Sequence, residues 1–249
     1  MRSVFLFPVT VTAGLVLSAG VASALTLGGT VRDFDNTHPN FGQGTPFGLL
    51  ADGQVVSSAL TGAAPSPIFV EGDRTNPPVN FTTHDDYNEW WTGGVASPYD
   101  VVFSESGGVQ SFDGAASTPG SQFFPAGSNN YLFTLQFGGL LSFEDGDTFS
   151  ASSDDDLWIF VDNKLVLELA GVHSPASDSF SAADLMLLGL VSGQNYAFDV
   201  FYAERNVTQA QLNLSTDMTI SAVPLPAALP LFLGGLAFLG FVSRRRATA

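Results

Sequence analysis

Cysteine is absent from the 249 residues, which excludes disulfides, thiolate zinc sites, iron–sulfur clusters and thiol nucleophiles. Histidine is scarce: with only His38, His84 and His173, a multi-histidine metal centre would need all three together. Charge is thin as well, at 13% of residues, about half the ~25% usual for soluble chains. Basic residues number 8 against 24 acids, and four of the eight (Arg2, Arg244, Arg245 and Arg246) lie near the ends. Every acid falls between Asp33 and Asp217, so the middle of the chain is strongly anionic. A field of that sign repels phosphate backbones, which argues against nucleic acid as a partner, and it suits divalent cations. Long helical periodicity is missing between Leu25 and Ala222, and no internal repeat is evident.

What is present sorts into two apolar ends and a middle. Residues 1–24 place one arginine before a long apolar run that closes on Ala22-Ser23-Ala24, the pattern of a cleaved export signal helix. At the other end, Val223 to Val242 is a charge-free run of 20 residues, long enough for a transmembrane helix, and three arginines follow it. Basic residues stay on the cytoplasmic side, so both ends would leave the acidic middle outside the inner membrane. The expected division is 1–24 signal peptide, 25–222 exported domain and 223–249 membrane-associated tail.

Within that tail, Val223-Pro224-Leu225-Pro226, the apolar run and Arg244-Arg245-Arg246 resemble the PEP-CTERM sorting signal of Gram-negative bacteria. The resemblance implies an exosortase-type processing enzyme as partner and a transient membrane anchor before release to the surface or matrix. It also implies a setting of exopolysaccharide and biofilm. Leucine stands where the family commonly has glutamate.

The middle reads as an all-β domain, a jelly-roll-like antiparallel β-sandwich with one short helix. Val101–Glu105 and Val109–Phe112 flank Ser106-Gly107-Gly108, a hairpin signal. Tyr131–Phe137 and Leu140–Phe143 around Gly138-Gly139 predict a second hairpin, and Leu157–Val161 and Leu165–Leu169 around Asp162-Asn163-Lys164 a third. Period-two alternation puts Tyr196, Phe198, Val200 and Tyr202 on one face. Gln211–Ile220 is expected as a closing strand with Leu212 and Leu214 inward. Thr83-His84-Asp85-Asp86 starts the helix and Gly93 ends it. Its Trp90-Trp91 pair could be a sugar platform; packing on the sheet is preferred, because aromatics at helical spacing usually pack. Residues 36–67, rich in Gly and Pro, read as long loops.

Chemistry concentrates in Asp154-Asp155-Asp156, just ahead of the apolar strand Leu157-Trp158-Ile159-Phe160-Val161. Three adjacent carboxylates repel one another unless a cation or hydrogen-bond donors offset them. Calcium takes six to eight oxygens and is the hard cation of choice; a solvated acidic turn is the alternative.

The segment from Ser152 to His173, SSDDDLWIFVDNKLVLELAGVH, followed by GLVSGQNYAFDVFYAERN, resembles the fibro-slime domain. Gly29-Thr30-Val31-Arg32-Asp33-Phe34, the stretch Asn36 to Phe41 and Phe123-Phe124-Pro125 resemble further motifs of that domain, so the likeness runs from about Leu27 to Met218. Fibro-slime domains are similar to the carbohydrate-binding β-sandwich first described in anthrax protective antigen. In its sugar-binding members, consecutive aspartates joined by a cis peptide hold calcium, which in turn holds sugar hydroxyls. The resemblance implies that role for Asp154 and Asp155, with Asp156 beside them. His173 and Glu204-Arg205 match further motifs and would either line the site or form a polar cluster supporting it. Leu169-Ala170 ahead of Gly171, where relatives often have Gly-Gly, suggests a less demanding turn.

The expected function is an exported, calcium-dependent carbohydrate-binding and adhesion module whose partner is polysaccharide or surface glycan. A structural matrix protein with calcium serving only stability is the alternative. An enzyme is not expected: acids for a two-carboxylate glycosidase are available, yet none sits in an identifiable catalytic motif.

Overall fold

The computed structural model describes residues 24–42, 56–61, 66–68, 84–114 and 131–224, and strands carry most of its regular structure. In chain order these are β1 (Ala24–Asp33), helix α1 (His84–Thr92), β2 (Val95–Ser106), β3 (Val109–Asp113), β4 (Phe133–Ser142), β5 (Thr148–Asp154) and β6 (Asp156–Val161). There follow β7 (Lys164–Leu169), β8 (Ala176–Ser181), helix α2 (Ala182–Leu187), β9 (Tyr196–Glu204), β10 (Gln211–Thr216) and β11 (Thr219–Ser221). All pairings are antiparallel, in the order β7-β6-β9-β4-β1-β2-β3-β10-β5-β8, with β11 added to β4.

The sheet folds over so that its two halves face each other across one core, where Phe149 of β5 meets Phe198 of β9 with ring centroids 5.6 Å apart. Alternation decides which side chains reach that core. From β9 these are Phe198, Val200 and Tyr202, with Tyr196 packed at its margin; from β10 they are Leu212 and Leu214. Strand β6 is buried on both faces, which is why it reads as an unbroken apolar run. Leu157, Ile159 and Val161 enter the central core, whereas Trp158 and Phe160 face a second cluster roofed by Tyr87, Trp90 and Trp91 of α1. Phe34 and Phe41, stacked 4.5 Å apart, close that second cluster. The tryptophan pair is therefore packing, with Trp90 at 0% and Trp91 at 3% exposure.

Two hairpins form where expected. Gly107 and Gly108 turn β2 into β3, and Asp162 and Asn163, at φ 51° and 62°, turn β6 into β7. The hairpin expected at Gly138-Gly139 does not form: both glycines sit inside the continuous strand β4, paired with Asp199 and Phe198. They mark close backbone approach instead of a turn. A Cβ on Gly138 would lie 2.9 Å from the Phe198 carbonyl oxygen, and one on Gly139 would lie 2.7 Å from that of Ser221.

The closing strand is also split. Asp217 accepts from the Thr148 N–H at 2.6 Å, and the Thr216 hydroxyl accepts from the Met218 N–H at 3.0 Å. These bonds redirect the chain from β10, beside β5, to β11, beside β4. Helix α2 was not anticipated, although Ser181 and Asp184 form a reciprocal capping box at its start. Among the described residues no helix is long and apolar enough to cross a membrane. Of the expected signal helix (1–24), residues 1–23 lie outside the described residues and Ala24 opens β1; Phe123-Phe124-Pro125, Leu225, Pro226 and Arg244–Arg246 lie outside them too, as does Thr83, whereas Val223 and Pro224 are described and Val223 is exposed.

Replacing Gly139 with valine should destabilise the fold by about 1–3 kcal/mol through overpacking, read as a lower urea midpoint at unchanged slope. A wild-type midpoint would contradict the close approach of β11.

Candidate functional site

Three passages of the chain between the two halves of the sheet run side by side: β5 to β6, β7 to β8 and β9 to β10. The acidic run occupies the first, with Asp154 paired to Gln211 of β10 and Asp156 to Ala203 of β9. The peptide between Asp154 and Asp155 is cis. Both neighbouring passages bond to these aspartates. Asp155 accepts the His173 N–H on Oδ1 at 2.8 Å and the Arg205 N–H on Oδ2 at 3.1 Å. Asp156 accepts the Gly171 N–H at 2.6 Å and Arg205 Nε at 2.7 Å. All of these residues are at least 95% buried where their exposure bears on charge: Asp155 1%, Asp156 0% and Arg205 1% exposed.

Arg205 is held from outside as well. Its guanidinium carbon lies 4.9 Å from the centroid of the Trp90 ring, a cation–π arrangement that ties α1 to the ion pair. Its carbonyl accepts the Gly42 N–H at 2.9 Å.

The structure separates the expected residues into two groups. Carboxylate oxygens of Asp154, Asp155 and Glu204 lie within 4.8 Å of one another, all three buried. Asp156, expected with the metal-ligating pair, instead has its oxygens engaged by Arg205 and Gly171. Glu204, expected as a supporting residue, joins the pair. Its Oε1 accepts the Asn206 N–H at 2.9 Å, and its Oε2 lies 3.4 Å from the Tyr202 hydroxyl oxygen. The Tyr202 hydroxyl donates its proton to the Asp154 carbonyl.

His173 acts on Asp155 through its backbone. Its Nδ1 lies 2.9 Å from the Ser174 carbonyl, which can only accept, so that nitrogen donates, and the buried Nε2 has no hydrogen-bond partner among the described residues. The turn ahead of it proves demanding at one position. Gly171 adopts φ 111°, and its N–H serves Asp156, whereas Ala170 packs in the second core.

Electrostatics set the three-carboxylate group apart. Burial first, then the Asp155 charge, pushes the Asp154 carboxyl up to about 8. Burial, then the charges of Asp155 and Asp154, pushes Glu204 well above the carboxylate range. Burial also raises Asp156, against the pull of Arg205 and the Gly171 N–H. Two like charges about 4 Å apart repel by roughly 4 kcal/mol at an effective dielectric of 20. The group therefore holds protons or a cation. Its donor set is all oxygen and acidic, with backbone donors fixing Asp155 in place. That chemistry fits a hard divalent ion such as calcium and not a soft or imidazole-seeking metal. Tyr202, Gly171 and Trp90 were not foreseen as parts of the site. The alternation that buries Tyr202 was visible; its hydroxyl contact with Glu204, two residues along the same strand, was not.

Arg205→Met should cost about 3–5 kcal/mol of stability by stranding the Asp156 charge, and Asp156→Asn in that background should restore part of it. Chemical unfolding of the four proteins reads the coupling, and strictly additive losses would contradict the ion pair.

Comparison with known proteins extends this picture. The PA14 domain model matches residues 91–225, which contain the acidic run, His173 and Glu204-Arg205. Among curated relatives, Dictyostelium discoideum psiQ is 31% identical over 158 residues, covering 62% of this chain and 14% of psiQ. PsiC of the same organism is 26% identical over 230 residues, covering 82% of this chain and 43% of psiC. The chain thus spans less than half the length of these relatives. Of solved structures, the PA14 sugar-binding domain of an RTX adhesin matches at 20% identity and a TM-score of 0.27, over 35% of this chain and 50% of that one. The PA14 domain of the MpAFP antifreeze protein matches at 13% identity and a TM-score of 0.28, over 38% and 55%. With more than half of its residues matched by the family model, the chain belongs to the PA14 domain family.

Proposed function

We propose that the protein is a surface-displayed adhesion module in which Asp154, Asp155 and Glu204 hold a calcium ion that in turn engages glycan hydroxyls. The observation that carries this reading is three buried carboxylates within 4.8 Å while the adjacent guanidinium pairs with Asp156. Calcium would supply the charge that lets all three ionise and an open coordination position for vicinal hydroxyls. The chain's own residues hold the ligands still: His173 and Arg205 through their N–H groups on Asp155, and Asn206 on Glu204. Placement at the cell surface in a polysaccharide matrix, by an export signal and a processed PEP-CTERM-type tail, belongs to the same proposal and rests on the sequence of the two ends. Weak single sites suit that setting, since many copies on a surface multiply avidity.

The raised carboxyls fix the sign of a pH test. With chelator present, the folded protein keeps a proton on Asp154 up to about pH 8, whereas the unfolded chain releases it near pH 4. The native state then binds more protons across that window, so stability falls as pH rises from 5 to 8. Glu204 and Asp156 act in the same direction. Millimolar calcium should flatten the fall. With a dissociation constant of roughly 10⁻⁴ M, tenfold excess adds about 1.4 kcal/mol, or roughly 3–6 °C, near neutral pH. An Asp154→Asn/Asp155→Asn variant should lose the calcium response, and a calcium shift equal to that of wild type would refute the assignment.

The glycan step has its own readout. The protein should be retained on a polysaccharide matrix in calcium and released by chelator. A calcium-dependent melting shift with no retention on any polysaccharide would leave calcium a purely stabilising role.

A further inference from the structure

A second concavity lies on the outer face of the sheet, on the side roofed by α1. It is a groove of about 510 Å³, inside the roughly 300–1,000 Å³ range of small-molecule sites. Its floor is backbone: Gly28 of β1 and Gly138 of β4 leave the strands bare where side chains would otherwise stand. Along β9, Asp199 in the groove is five residues from Glu204, about 16 Å at 3.3 Å per residue, so the two sites are distinct.

Two charged groups in the groove keep polar atoms without a hydrogen-bond partner among the described residues. The half-buried Asp199 carboxylate receives no hydrogen bond from the described residues, and burial alone pushes its carboxyl up. Arg32 is tethered by Nη1 to the Gly93 carbonyl at 3.0 Å, and its buried Nε has no hydrogen-bond partner among the described residues. A partly buried carboxylate without protein donors is a ready acceptor for a ligand's hydroxyls. Between these groups Thr30 and Gln136, cross-strand partners in β1 and β4, supply a hydroxyl and an amide. Trp91 and Phe201, edge to face at 5.2 Å and each 3% exposed, are the buried backing of the groove.

We propose that this groove is a second, metal-independent binding site for a neutral saccharide. Asp199 accepts from sugar hydroxyls, Gln136 and Arg32 donate to them, and the C–H face of the ring lies on the glycine floor. A hydroxyl both donates and accepts, which matches a lining that offers both kinds of group. The protein's net charge of −16 works against an anionic ligand. This site goes beyond the calcium reading and does not depend on it.

The test is affinity electrophoresis of the full chain through native gels containing dextran, mannan or galactan, with EDTA throughout. At least one polysaccharide should retard the protein. Asp199→Asn and Gly28→Val should each weaken association fivefold or more. No atom lies within 4 Å of a Cβ built on Gly28, so valine there fills the groove and spares the fold, which a melting curve checks. No retardation by any of the three, or retardation indifferent to both groove substitutions, overturns the proposal. Thermal stabilisation by free glycine that Asp199→Asn abolishes, without retardation, would make this a zwitterion site and overturn it too. Loss of calcium-dependent retention alone bears on the first site and leaves this one standing.

Discussion

A buried carboxylate has to be bonded or neutralised, and this chain buries several where its sheet doubles back. Asp155 and Asp156 sit in the passage from β5 to β6, and their oxygens take N–H groups from the two parallel passages, at Gly171–His173 and at Arg205. The acids thus clamp three crossings of the chain into one bundle. Their bonds join segments fifteen to fifty residues apart, and the halves of the sheet close over the core only with these crossings aligned.

The same clamp explains why one face of the sheet needs a second core. Arg205 reaches Asp156 only with its guanidinium covered, and the cover is Trp90 on α1. The helix in turn rests on Trp158 and Phe201, outward residues of β6 and β9 whose neighbours in sequence line the central core. Packing, ion pair and carboxylate cluster are therefore one connected arrangement. Disturbing the helix would loosen the guanidinium, and through it the carboxylates.

Division of labour among the acids follows from which passages lie beside them. Asp156 meets a guanidinium and becomes structural. Asp155 and Glu204 meet backbone donors, and with Asp154 they meet one another, so no guanidinium offsets their charge.

Much of this was legible in the sequence. Period-two alternation identified β9 and the inward leucines of β10, Asp162-Asn163 and Gly107-Gly108 marked true turns, and the unbroken run of β6 marked a strand buried on both faces. These are local signals, set by side-chain direction and by φ. The acid pair and the motifs at His173 and Glu204-Arg205 were visible as patterns. Other features depended on contacts distant in the chain. Gly138-Gly139 has the composition of a turn, and only the carbonyls of Phe198 and Ser221 pressing on it make it a strand. Likewise, nothing within Asp154-Asp155-Asp156 distinguishes its third member from the first two. The chain alone determined an all-β domain with an acidic focus; which acid pairs with Arg205, and which join Glu204, was decided by the tertiary structure, because strand order chooses the neighbours of a buried charge.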